Sequence, residues 1–69
     1  MSGLDAQLRD AHARHDHSAL VTLYALAAET AHDTDAACFY LTHAYIFALE
    51  LGHPNTAALH AQLAAYGRV

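Results

Sequence analysis

One run, Ala36 to Leu51 (AACFYLTHAYIFALEL), constrains what this chain can fold into more than any other. Only Thr42, His43 and Glu50 interrupt its apolar character. Its period is helical. Ala37, Leu41, Ala44, Ala48 and Leu51 are spaced four and three apart, which places them on one stripe. Tyr40 and Phe47 widen that stripe on one side, and Cys38, Tyr45 and Leu49 widen it on the other. A helix that is apolar over most of its circumference is expected to be buried. Its small centre (Ala37, Ala44, Ala48) lets a neighbouring helix approach closely. Phe39 and Ile46 fall beside His43 and Glu50 on the least apolar side, so another helix covers them or they form a contact patch. At a rise of about 1.5 Å per residue the run reaches about 24 Å. A membrane span needs roughly 20 apolar residues, and this run falls short while carrying His43 and Glu50.

The remaining segments read as helices around it. Ser2-Gly3-Leu4-Asp5 resembles a capping box at the start of a first helix, over about 3–14, with Asp where Glu or Gln is usual. Asp5 with Arg9, and Asp10 with Arg14, are acid-before-base pairs four apart. The apolar stripe of this helix is thin (Leu4, Leu8, Ala11). A second helix, about 18–31, follows a polar break in which Asp16 or Ser18 is the N-cap. It carries Leu20, Leu23, Tyr24, Ala27 and Ala31 on one stripe and Val21, Ala25 and Ala28 on a second, smaller one. Thr22 and Glu29 mark its wet side, with Leu26 between them. Asp33 or Thr34 caps the third helix, about 35–51, which ends at Gly52. Pro54 suits the first turn of a fourth, about 54–66, whose inner side is Leu59, Leu63 and Tyr66. No stretch alternates as a strand does. The fold expected is all-α: residues 1–69 as one domain of four short helices, antiparallel because their connections are short.

Size and charge then limit function. A 69-residue chain buries only about 60% of its unfolded surface. A core of that size rarely supplies more than about 3–5 kcal/mol, so self-association is expected. The net charge is −4, with three Arg and no Lys, which argues against nucleic acid and against an anionic membrane surface. Seven His are many for this length; seven protons added to −4 would bring the charge to +3. The single cysteine, Cys38, allows no internal disulfide and reads as a buried thiol. MSGLDAQLRD holds no apolar signal core, and a cytoplasmic protein is expected. The Lys-free, Ala-, Asp-, His- and Arg-rich composition suggests a bacterial coding bias.

Catalytic constellations are missing. Ser2 and Ser18 are the only serines and neither sits in a Gly-x-Ser-x-Gly elbow. Three glycines form no phosphate-cradling loop, and Cys38 has no positive partner nearby in sequence. No cofactor and no catalytic residue is expected. His12, His15 and His17 are the one candidate metal set; a metal needs three or four converging ligands, and the competing reading is a solvated polar turn.

From Asp16 to Arg68 the chain resembles the tetratricopeptide-repeat superfamily. Leu20, Leu23 and Ala27 are similar to the apolar positions of a first repeat helix. Ala37, Leu41 and Ala44 are similar to the small–large–small spacing of a second. Leu51-Gly52-His53-Pro54-Asn55-Thr56-Ala57, closed by Gly67-Arg68, resembles the junction of kinesin-light-chain-type repeats. The resemblance implies about one and a half repeats of antiparallel hairpin, with the first helix as a cap. It also implies a peptide groove lined by Val21, Ala25 and Ala28. The function it implies is protein–protein interaction without catalysis. The partner is a protein or a second copy of the chain, held by Leu26, Phe39 and Ile46 with His43 and Glu50 at the rim. The alternative is a small His-rich metal-binding or pH-responsive protein.

Overall fold

The computed structural model describes residues 3–69. It has four α-helices: α1 (Gly3–Ala13), α2 (His17–Thr30), α3 (Thr34–Leu51) and α4 (Thr56–Ala65). There is no strand among the described residues. Ser2, read as the first residue of a capping box, lies outside them. Asp16 caps α2, its carboxylate accepting from the Ala19 N–H at 3.1 Å. Asp33 caps α3 in the same way, accepting from the Ala36 N–H at 2.8 Å. The two expected pairs on α1 form, Arg9 to Asp5 at 3.0 Å and Arg14 to Asp10 at 2.9 Å. They are exposed and stabilise little.

Three helix ends close with the same doubled hydrogen bond. After α3, the His53 N–H donates to the Ala48 carbonyl (2.9 Å) and the Gly52 N–H to that of Leu49 (3.3 Å). After α4, Arg68 donates to Leu63 (3.0 Å) and Gly67 to Ala64 (2.9 Å). After α1, Asp16 donates to Ala11 (2.9 Å) and His15 to His12 (3.1 Å). Such a closure needs a left-handed residue, usually glycine. Gly52 and Gly67 supply φ of 63° and 75°, but the first helix uses His15 at 55°. Pro54 does not enter α4. His53, Pro54 and Asn55 form a turn in which the Thr56 hydroxyl and N–H both donate to the His53 carbonyl (2.7 and 3.1 Å). The helix therefore begins after Asn55.

The helices follow one another in chain order, each backbone against the next. The antiparallel sense shows in the side chains: His17 meets Phe47 and Tyr24 meets Tyr40 across α2 and α3, while Tyr45 meets His60 and Asp35 meets Arg68 between α3 and the chain of α4 and its end. No backbone contact joins α1 to α3 or α4, nor α2 to α4. The particle is flat, 31 × 29 × 12 Å. This corrects one expectation. The apolar helix is not wrapped evenly by three neighbours; its backbone is flanked by two, α2 and α4, and α1 reaches it through side chains, His12 lying 6.2 Å from Phe47 between ring centroids. Its buried residues, Ala37, Cys38, Leu41, Ala44 and Ala48, mark the covered side. All but Ala37 join Val21 of α2 and Leu59 and Leu63 of α4 in one core. The alanines matter here, because Ala44 and Ala48 are fully buried and let the flanking helices close over α3. Burying the larger members of this set is worth roughly 1.5–3 kcal/mol per side chain.

Three residues read as inner are not. Leu51 ends α3 one turn beyond Phe47, whose ring already meets the first residue of α2, and it is 46% exposed. Leu49 lies 54% exposed on the side of α3 that neither α2 nor α4 covers. Tyr66 follows the last turn of α4 and stays at the rim of a surface hollow over Ala37 and Leu41.

Candidate functional site

The uncovered side of α3 follows from the helical repeat. Phe39, Thr42, Ile46, Leu49 and Glu50 are separated by three, four, three and one, which keeps them on one face. All five are exposed. Phe39 is open to 57% and Ile46 to 49%. An exposed apolar row along one helix, rather than scattered single residues, is the pattern that marks a contact surface. At its N-terminal end Arg68, arriving from beyond α4, donates to the Asp35 carboxylate at 2.6 Å. The Arg68 guanidinium holds its proton more tightly than usual, first because of that hydrogen bond to Asp35. Asp35, Cys38, Phe39, Thr42, His43 and Arg68 line a shallow hollow at this end. Glu50 stands at the other end.

Behind the row sits a cluster of rings. Tyr24 of α2 is its hub, with His12 at 5.8 Å, His43 at 5.1 Å, Tyr40 at 6.1 Å and Phe47 at 6.2 Å between ring centroids. The Tyr24 hydroxyl also meets His12 Nε2 at 2.9 Å. Burial raises the Tyr24 phenol above its ordinary range, and the neighbouring Tyr40 adds to the shift. His43 is half-buried between Phe39 (4.5 Å) and Tyr24, and its Nδ1 is shielded from water without a hydrogen-bond partner. It therefore backs the row rather than standing at an open rim.

The other residues named from the sequence are placed as follows. Leu26 is exposed, but on the outer side of α2 with Thr22 and Glu29, turned away from the face of Val21, Tyr24 and Ala28 that packs toward α3. Val21 is fully buried in the core, with Ala25 and Ala28 half-buried against it. Of the three residues expected to line a groove, Val21 is closed off from solvent, whereas Ala28 lines a surface hollow with Ala37 and Leu41 of α3 and Gln62 and Tyr66 of the last helix and its end. His12, His15 and His17 do not converge. His12 is held by Tyr24, His17 packs at a tilt on Phe47 with ring centroids 5.1 Å apart, and His15 sits in the left-handed closure of α1, its ring 6.5 Å from that of His17. No group of three metal-ligating side chains comes together among the described residues.

Leu49 and the Arg68–Asp35 tie belong to the face and lie outside the sequence reading of it. Leu49 was detectable, being three residues after Ile46 and seven after Thr42. Arg68 was not, since 33 residues separate it from Asp35. No helix among the described residues is long and apolar enough to cross a membrane. No protein-family model, curated protein or solved structure matches this chain.

Proposed function

We propose that the chain is a non-catalytic protein-interaction module of tetratricopeptide-like type, working in the cytoplasm of a bacterium, and that the outer face of α3 is its recognition surface. The observation that carries the reading is the row of Phe39, Ile46 and Leu49, each about half open to solvent on one side of a helix whose other side is packed. Helices laid in chain order, each against the next, suit the resemblance to repeat hairpins, where every element touches only its neighbours. The cytoplasmic and bacterial parts rest on composition alone. The test is affinity capture from native cells with the full chain and with the Phe39→Asp/Ile46→Asp double variant as paired baits. The reading expects proteins that bind the first and not the second, with equal helical circular dichroism for both. An identical set on both baits refutes it.

A second reading, a pH-responsive protein, is favoured by the packing of His12, His17 and His43 on the rings of Tyr24, Phe47 and Phe39. Histidine is the side-chain type whose charge most readily changes near physiological pH, and these three rings stand where α1, α2 and α3 meet. Thermal melts at pH 7.5 and pH 5 separate the readings. A lower melting temperature at pH 5 supports the pH response, and coincident melts exclude it.

A further inference from the structure

The outer face of α3 carries a symmetry that points to its occupant. Phe39 and Ile46 are placed evenly about a point between Thr42 and His43, and Asp35 and Glu50 are placed evenly about that same point. A two-fold axis through this point, perpendicular to the helix, sets a second α3 antiparallel on the first. Each Phe39 then lies level with the partner's Ile46, and each Asp35 with the partner's Glu50. We propose that this face is the interface of a two-fold homodimer built by antiparallel pairing of α3, a proposal that rests on the outer face of α3 being the recognition surface.

Charge supports this occupant over an unrelated helix. Glu50 lies in the last turn of α3, the negative end of the helix dipole, where an acid is disfavoured. It makes no hydrogen bond or ion pair among the described residues. Antiparallel pairing moves it to the positive N-terminal end of the partner's α3. There Arg68 already stands, 2.6 Å from Asp35. One guanidinium, with its several N–H donors, can serve Asp35 and the incoming Glu50 together. The arrangement repeats at both ends of the row, about 22 Å apart at 1.5 Å rise per residue. A parallel partner would instead set Glu50 against Glu50. The two-fold gives both chains the same set of contacts, as a self-complementary interface requires.

Sedimentation equilibrium of the full chain, from micromolar to millimolar, tests this. The expected mass at high concentration is twice 7.4 kDa. Ile46→Asp should return it to the single-chain value with helical circular dichroism retained. Glu50→Arg changes an exposed residue at a helix end and relieves the dipole within one chain, so folding is not at risk. It should weaken the dimer at least tenfold, because it sets Arg against Arg68. A single-chain mass throughout overturns the dimer, as does a dimer unaffected by Glu50→Arg. If that happens while capture of another protein still depends on Phe39 and Ile46, the dimer has failed and the interaction reading stands. If wild type and both variants are single chains and capture is also independent of this face, both have failed.

Discussion

Replacing Leu63 with Ala should come close to abolishing the folded state. Leu63 is 1% exposed, and it and Leu59 are the only buried residues of α4. The backbone of α4 touches α3 alone, so its hold on the fold rests on these two leucines. Truncating a buried Leu costs about 2–5 kcal/mol, the lost transfer energy plus the cavity left behind. A thin layer can sag into the gap, so the lower half of that range applies, about 2–3 kcal/mol. The whole chain is expected to have only about 3–5 kcal/mol. For a domain of this length each kcal/mol moves the melting temperature by about 4–8 °C, so the loss is about 10–20 °C. Urea unfolding followed by circular dichroism measures it, with Leu26→Ala as the control. Leu26 is 45% exposed, and its truncation should change stability by less than about 0.5 kcal/mol. If Leu63→Ala loses under about 1 kcal/mol, or no more than Leu26→Ala, then α4 is not held by its two leucines and the layered packing is wrong.

Other expectations follow from single observations. His15 occupies a left-handed position where L side chains are strained, so His15→Gly should raise stability by about 0.5–1 kcal/mol, seen as a higher melting temperature. Asp33→Ala removes the side-chain cap of α3 and should cost about 1 kcal/mol by urea titration; Asn55→Ala should cost much less, because Asn55 makes no side-chain cap bond to α4. The Tyr24 phenol is raised in the folded state, so the fold binds that proton more tightly than the unfolded chain does. Its contribution is intact below the ordinary tyrosine range near 10 and is lost as pH rises through the folded value. Alkaline melts should therefore fall away above about pH 10, and Tyr24→Phe should flatten that decline; an equal decline in the variant would show that Tyr24 is not its source.

The helices were legible because their punctuation is local. Asp16 and Asp33 sit where caps belong, and Gly52 and Gly67 sit where chains must turn left-handed. The end of α1 shows what that reading misses, since His15 gives no glycine signal for the same closure. Pro54 shows the reverse: it is acceptable in a first turn, but the bonds to the His53 carbonyl hold it outside α4. The outer face was half legible. Phe39 and Ile46 stand beside the polar residues of α3 and are exposed, whereas Leu49, Leu51 and Tyr66 read as inward because apolarity alone does not say how many neighbours a helix has. With α2 and α4 flanking α3 and no third backbone against it, part of its apolar circumference stays open. Val21 failed the other way. A small residue fits a groove or a core equally well in sequence, and only the packed fold, in which Val21 is fully buried, decides for the core.

The cover over α3 should stop between Cys38 and Thr42, one turn apart along the edge of the exposed row, and a thiol at each position can report it. Cys38 is 3% exposed; Thr42, four residues on, faces solvent. In Thr42→Cys, a thiol-reactive chromogenic disulfide should label the introduced thiol at the rate of a free peptide and Cys38 only on unfolding, at dilutions where sedimentation shows a single chain, and wild type should show no rapid label at all. Rapid reaction at Cys38, or an introduced thiol as protected in the native state as Cys38, would contradict it.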